Sequence, residues 1–492
     1  MDNGTRQEFI SLIKDIKSGH KDEEKTACLD ALKEFLSQHL CEESVNFSQT
    51  IKDYIEDLLV KSSTPHERSA GILLVNWALR LSAGSRSFFS DGDSGDSSAV
   101  VMISDDGNNP LYLATLCKII EPTFKEFPNN ISLLSLAADT LEEILARIGN
   151  SINLSAVTDS VEDLLKSGLE MLAGMPFGSI TTSAKSDSLK CLSSSPAPSR
   201  NASMSSGFLG HLLLSQQAQV RRSLASKGKG EAEAELCISG VFIVRAVARA
   251  VPAVFGHYVG KFISIVRIPL GNNSLEVRQR VHKTLCEVLK VYAKKDVVKS
   301  KVWFDELFEV AKKTLDPKKK KKPVLVHGAL LLFDALIENM PFSINEAHIS
   351  FIMEKLFLYQ KNKDAMISNV SMSLFPKIAK ISPDFFMNEP VITQALGCIF
   401  QVLTKNSDKT AAFVALGELV AVLGIKLSSA QIKSITECLS TFLDNQKLLP
   451  YVDDAMECIT KFAHCVKISC LLDLFKAITR NICNHPFPIS EI

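Results

Sequence analysis

The chain has 492 residues, and its 55 Lys+Arg balance its 55 Asp+Glu, so the formal net charge is zero. With 46% apolar residues it carries enough apolar surface for a large core, which excludes disorder throughout. The balanced charge argues against a global electrostatic grip on nucleic acid or an acidic membrane. At roughly 100–200 residues per domain, the length predicts two to four globular units or one elongated array.

The opening residues, Met1 to Glu8, are polar and of mixed charge, unlike a secretory signal. Further on, Leu236 to Phe255 is the most apolar window, but Arg245, Arg249 and Pro252 interrupt it. A spanning helix needs about 20 apolar residues, so no membrane span is expected. The twelve cysteines are scattered and form no Cys-x-x-Cys pair. Most sit in apolar helical patterns, such as Cys28, Cys286 and Cys398, which suits a reducing compartment with cysteine as a small buried hydrophobe. The expected location is the cytoplasm, with the nucleus as the alternative if the lysine run at 318–322 acts as a localisation signal.

Along the chain, apolar residues recur at helical spacing. Cys28, Ala31, Leu32, Phe35 and Leu36 form the first clear stripe. Residues 82–110 break the pattern with Ser, Asp and Gly, from Ser82 through Asp91-Gly92-Asp93-Ser94-Gly95-Asp96 to Gly107. Residues 177–228 break it again, and eleven of the twenty-eight positions from Ser179 to Ser206 are Ser. Both segments read as disordered insertions between helices. Later, Val391, Ile392, Ala395, Leu396, Ile399, Phe400, Val402 and Leu403 make another helical stripe. No convincing run of period-two alternation occurs, so the fold class is all-α.

A long period underlies these helices. Lys361-Asn362-Lys363-Asp364 and Lys405-Asn406-Ser407-Asp408 are nearly the same sequence, 44 residues apart. Each sits between two helices, with its Asp placed to cap the second. The turn Gly271-Asn272-Asn273-Ser274 lies two periods earlier, and Asp316-Pro317 with the lysine run marks the break between. Paired helices repeating every 40–47 residues are the signature of HEAT or armadillo arrays. The expected fold is therefore an α-solenoid of HEAT/armadillo-like helix pairs with disordered loops inserted. Its repeats are expected over 1–176, with 82–110 a flexible loop, and over 229–485. The Ser-rich linker would be 177–228 and the tail 486–492. That tail places Ile489 and Ile492 after Pro486 and Pro488 with no polar capping helix, an ending that suggests truncation. Second helices open at Glu67-Arg68-Ser69-Ala70-Gly71, at Val326-His327-Gly328-Ala329 and at Thr410-Ala411-Ala412-Phe413. Gly costs about 1 kcal/mol in a helix interior, so Gly71, Gly328 and Gly417 imply close helix approach.

No pattern of an active site is present. Phosphate-binding Gly-x-x-x-x-Gly-Lys-Ser/Thr is missing, and so are His-Arg-Asp, Asp-Phe-Gly, His-Glu-x-x-His and Gly-x-Ser-x-Gly. Cys458, His464, Cys465 and Cys470 match no zinc spacing and read as core residues. The acidic run Asp91–Asp96 lacks the closing Glu of a calcium loop and reads as a solvated loop. His327, beside Gly328, reads as a packed or capping residue. Lys318, Lys319, Lys320, Lys321 and Lys322 form a run between Pro317 and Pro323. It reads first as a solvated inter-helix loop, and second as a nuclear-localisation signal or phosphate-binding patch. Ser-rich 179–226, with Arg200, Arg221 and Arg222 near its serines, reads equally as linker or phosphorylation target. Arg278, Arg280 and Lys283 share one second helix and are the candidate solvent-facing interaction residues, against an ordinary solvated face. No catalytic, cofactor or metal residue is assigned.

Four collinear stretches resemble the N-terminal HEAT region of the target of rapamycin (TOR) serine/threonine kinases. Glu67-Arg68-Ser69-Ala70-Gly71-Ile72-Leu73 is similar to that family's Glu-Arg followed by Gly-Ile-Leu, and lies after an amphipathic pair beginning near Phe9. Val251-Pro252-Ala253-Val254-Phe255 and Val277-Arg278 are similar to its Val-Pro-Thr-x-Phe and Ile-Arg. His327-Gly328-Ala329-Leu330-Leu331 is close to its His-Gly-Ala-Leu-Leu. Between Phe351 and Leu423 come Leu374-Phe375-Pro376, Phe385-Phe386 and Thr410-Ala411-Ala412-Phe413-Val414-Ala415-Leu416-Gly417. Residues 177–228 have no counterpart, the stretch from Met340 to Phe351 is shorter than the family's, and no rapamycin-binding bundle or catalytic domain follows. The resemblance implies a scaffold that contacts a Raptor-like subunit or other TOR-complex subunits, in a kinase arm or a kinase-less relative. It implies no enzyme activity in this chain and no cofactor. The alternative is a stand-alone HEAT adaptor or importin-like carrier, although a carrier of basic cargo would show an acidic inner face that neutral composition does not support. A third reading, an enzyme whose site is assembled across repeats, lacks any motif.

Overall fold

The computed structural model of the chain describes residues 3–18, 21–38, 54–55, 57–61, 64–84, 110–149, 158–174, 229–316, 321–404, 409–443, 451–466, 471–472, 474–476 and 479. Among the described residues every regular element is a helix and no strand forms. The chain divides into two compact units, residues 1–284 and 285–492.

The first unit contains α1 (Asn3–Lys17), α2 (Asp22–Gln38), a π-helical turn (Asp57–Lys61) and α3 (Pro65–Gly84). It continues with α4 (Pro110–Glu126), α5 (Ile131–Gly149), α6 (Thr158–Ala173), α7 (Lys229–Ala250), the short α8 (Pro252–Phe255) and α9 (Val259–Leu270). The division falls within α10 (Leu275–Tyr292). Here α4 pairs with α5 and α6 with α7, while α3, α5 and α7 stack in one ladder and α4, α6 and α9 in another. The sequence explains the pairing. On α5 the residues Leu134, Ala137, Leu141, Ile144, Leu145 and Ile148 recur at i, i+3, i+4 spacing and are all buried. Each such Leu or Ile stabilises by about 1.5–3 kcal/mol when removed from water. The Asn130 carboxamide caps α5 by accepting from Leu133 N at 3.0 Å.

The second unit contains α11 (Val297–Thr314), α12 (Pro323–Asn339), a 3₁₀ turn (Pro341–Ser343), α13 (Glu346–Tyr359), α14 (Ala365–Ile381) and the short α15 (Pro383–Phe386). It continues with α16 (Glu389–Thr404), α17 (Thr410–Leu423), a 3₁₀ turn (Gly424–Lys426), α18 (Ser429–Leu443) and α19 (Val452–Ala463). Second helices α12, α14, α17 and α19 stack in order, and so do first helices α13, α16 and α18. Successive second helices begin about 42–45 residues apart, at Pro323, Ala365, Thr410 and Val452, the spacing of a helix-pair solenoid. Each unit is thus an α-solenoid of the expected kind. Phe308 meets Phe333 with centroids 5.4 Å apart, and Phe413 meets Phe442 at 4.5 Å, so aromatic pairs join first helices to second.

Local punctuation follows the residues. Pro stands at the first position of α3, α4, α8, α12 and α15, where its missing N–H costs nothing. Asp364 caps α14 by accepting from Met366 N at 3.0 Å, as the repeated turn predicts. Its counterpart Asp408 lies outside the described residues. In the first stripe, the buried residues of α2 are Lys25, Leu29, Leu32, Phe35 and Leu36. Ala31 is exposed and Cys28 half-buried, because the face turns one position from the reading of the sequence. The unit boundary does not fall at residues 177–228, since α7 packs on both α5 and α6 and joins the first unit. Those residues, 85–109 and the 486–492 tail lie outside the described residues.

The α6–α7 contact depends on glycine. A Cβ at Gly240 would lie 2.6 Å from Gly168 O and from Leu172 N, both rigid helix backbone. Gly240→Ala is expected to destabilise the protein by about 1–3 kcal/mol, the usual cost of overpacking. Gly397 of α16 has open space around it, and Gly397→Ala is expected to stabilise by about 0.5–1 kcal/mol. Urea midpoints of the two variants check both signs.

Candidate interaction surface

In the second unit, α14, α17 and α19 bury one side and leave a stripe open. Thr410, Val414, Glu418 and Ala421 are exposed along α17 at nearly four-residue intervals. Each of the three helices exposes an apolar residue there or near its start: Met366 at 43%, Val414 at 45% and Met456 at 37%. Single exposed apolar residues are ordinary, but recurrence once per repeat gives a binding surface its anchors.

Charged residues tie α14 to α12 and α19 to α17. Lys377 Nζ on α14 donates to Asp334 Oδ1 and Glu338 Oε2 of α12, both at 2.7 Å. Lys461 Nζ on α19 donates to Glu418 Oε1 of α17 and Glu457 Oε1 of its own helix, again at 2.7 Å. Lys377 and Asp334 are 43 residues apart in sequence, as are Lys461 and Glu418, so each pair joins neighbouring repeats. Thr410 Oγ1 adds a bond to Asp454 Oδ2 at 2.6 Å. Burial pulls the Lys377 pKa down, but Asp334 and Glu338 outweigh it and hold the ammonium above its usual value. Asp334, Glu338 and Glu418 are therefore each matched by a lysine of the next helix, and apolar anchors stand beside these neutralised pairs. Sequence reading missed Met366, Val414, Met456, Lys377 and Lys461; the available signal was an apolar or basic residue at the polar positions of successive second helices.

The residues singled out from sequence are placed as follows. Arg278 does not face solvent. It is 5% exposed, and its Nη1 donates to Asn272 O at 2.6 Å and Asn273 O at 3.0 Å, because the turn 271–274 leaves carbonyls that need a donor. Arg280 is half-buried, paired with Glu276 at 2.8 Å and lying 5.0 Å from the Phe242 ring. Lys283 is exposed. The three therefore do not form one open face. Lys318, Lys319 and Lys320 lie outside the described residues. Lys321 is half-buried, and exposed Lys322 precedes α12, its carbonyl accepting from Val326 N.

Buried Cys458 packs its backbone where a Gly417 Cβ would come within 3.2 Å, and burial pushes its thiol up to about 12. His464 ends α19, and Cys465 packs against Gly424. Cys470, Asp91–Asp96 and the 179–226 segment with Arg200, Arg221 and Arg222 lie outside the described residues. Among the described residues no three His, Cys, Asp or Glu side chains gather as metal ligands would. Cys28 and Cys286 are half-buried, whereas Cys398 is buried.

The resemblance motifs occupy packing positions. Arg68 is buried and joins Leu59 O of the π-helical turn to Glu126 of α4. A Cβ at Gly71 would lie 2.7 Å from the Leu59 side chain. His327 and Gly328 lie in the buried stretch of α12.

Two outcomes are expected from substitution. Lys377→Met strands the buried Asp334 carboxylate and lowers stability by about 1–3 kcal/mol, and adding Asp334→Asn recovers part of the loss. Because the folded Lys377 pKa is raised, its contribution is complete below the ordinary value of 10.5 and is lost as pH climbs through the folded value. The gap between wild type and Lys377→Met in denaturant titrations should therefore close above that pH. Separately, Arg278→Ala should lower stability by about 1–3 kcal/mol by orphaning two carbonyls, while Lys283→Ala stays within about 0.5 kcal/mol. Thermal melts of the two variants separate a structural arginine from a surface lysine.

No family model matches the chain. Over 266 residues it is 25% identical to the serine/threonine-protein kinase TOR of Oryza sativa subsp. japonica, an alignment covering 52% of this chain and 10% of that protein. Among solved structures, importin beta in an ammonium sulfate condition is similar with a TM-score of 0.44 and 11% identity, covering 98% of this chain and 55% of that one. A mutant of Kap121p is similar with a TM-score of 0.43 and 10% identity, covering 96% of this chain and 47% of that one. The chain spans about a tenth of the length of the curated relative that it matches.

Proposed function

We propose that this chain is a non-catalytic solenoid scaffold of the TOR type, working in the cytoplasm and binding protein subunits, a Raptor-like one among them. The observation that carries this reading is the 25% identity to a TOR kinase over 266 residues, in a chain that folds as stacked helix pairs. Stacked pairs offer an extended surface to a partner, and a few apolar anchors on it carry most of the affinity. Met366, Val414 and Met456 supply such anchors. In this reading, phosphoryl transfer belongs to a catalytic part of the assembly, and this chain sets where partners sit.

The importin-like reading is less favoured. A carrier of basic cargo needs carboxylates available to it, yet Asp334, Glu338 and Glu418 are each held by a lysine.

The test is immunopurification of the native protein with an antibody against this chain, followed by mass spectrometry. Kinase-domain peptides and a Raptor-like subunit in the same preparation are expected, while recombinant 1–492 alone hydrolyses no ATP. Capture of Ran and basic peptides, without any kinase peptide, would replace this reading with the carrier.

A further inference from the structure

The corner joining α10 to α11 carries apolar residues where its helices face water. Val297, Val298 and Val302 expose 68%, 79% and 60% of their surface, and nearby Val291 exposes 38%. These valines are not the core face of α11, which is Ser300, Trp303, Phe304, Leu307, Phe308 and Ala311. Around them stand five exposed lysines, Lys290, Lys294, Lys295, Lys299 and Lys301. Asp296 is the one acidic residue from 290 to 302. It is engaged as the cap of α11, accepting from Lys299 N at 2.9 Å and pairing with Lys299 Nζ at 3.2 Å. The next turns of α11 turn acidic, with Asp305, Glu306 and Glu309 exposed, and separate the basic corner from Lys312 and Lys313 at the far end of the helix. Buried Tyr292, Ala293, Trp303 and Phe304 hold the corner rigid beneath it.

We infer that this corner docks on an anionic phospholipid surface, with the valines entering the interface and the lysines at headgroup level. Charge and shape both select that occupant. Every basic residue at the corner is lysine, a residue depleted from protein–protein interfaces but suited to headgroups as a point charge on a long apolar stem. Exposed Trp, Tyr or Arg, the usual anchors of a protein contact, are missing from 290–302. Helix ends joined by a four-residue turn project side chains outward, which fits a soft interface better than a grooved partner. Exposed apolar residues ringed by lysines combine the two signals that reversible membrane binding needs. The contact would be peripheral, since among the described residues no helix is long and apolar enough to cross a membrane. The inference holds whether or not the chain serves a kinase.

The test is co-sedimentation of recombinant 1–492 with vesicles of phosphatidylcholine containing 30% phosphatidylserine, and with phosphatidylcholine alone. Binding to the anionic vesicles only is expected, weakening with salt. Val297→Asp/Val298→Asp and Lys294→Glu/Lys295→Glu should each weaken it at least tenfold. Both pairs are exposed, and unchanged melting temperatures would show that the fold survives. Equal binding to both vesicles, no binding to either, or undiminished binding by both variants would overturn the inference. So would capture of an acidic polypeptide such as polyglutamate that needs the same four residues while the vesicles stay unbound.

Discussion

In the second unit, α12, α14 and α17 must each be buried by two neighbours at once. The limiting case is α12, where every position from Val326 to Ile337 is buried. A helix enclosed on all sides is stable only inside a stack, because its own first helix covers one stripe. It follows that no pair carries a complete core, and each repeat depends on the next. The Asp334 carboxylate shows the cost of that enclosure. Placed on a helix with no open side, it is stabilised by Lys377 from the following repeat. Gly240 on Gly168 shows the steric side of the same constraint, since these backbones approach too closely for any side chain.

Much of this was legible in sequence. The 44-residue return of Lys-Asn-x-Asp gave the repeat length, and Asp364 caps its helix as that motif predicts. Helical stripes such as Ile392, Ala395, Leu396 and Ile399 gave the fold class, and all four are buried. What failed was exposure at single positions. Charge alone places Arg278 in solvent, yet the carbonyls of its preceding turn draw it inward. A charged side chain follows the nearest unsatisfied acceptor, and the sequence does not print where backbone carbonyls point. The division into units was hidden for a similar reason. Composition marks 177–228 as a break, but α7 returns to pack on α6 through Gly240, a contact between residues far apart in the chain.

This placement also changes what the resemblance reports. Arg68, Gly71, His327 and Gly328 belong to the motifs on which the sequence resembles TOR kinases, and they build the stack. A likeness seated in packing positions describes architecture. In the proposed function, partner choice rests on what the stack exposes, such as Met366, Val414 and Met456. These positions are free to differ among proteins that share the stack, because changing them costs the core little.

The most direct test of a partner-binding stack is zero-length carbodiimide crosslinking of the native assembly, read by mass spectrometry. This chemistry joins a lysine to a carboxylate only when the two are in contact. Links are expected from Lys377 to Asp334 or Glu338 and from Lys461 to Glu418, with links to other proteins concentrated on α14, α17 and α19. Links joining those lysines to carboxylates of other repeats, or partner links confined to first helices, would contradict such a stack.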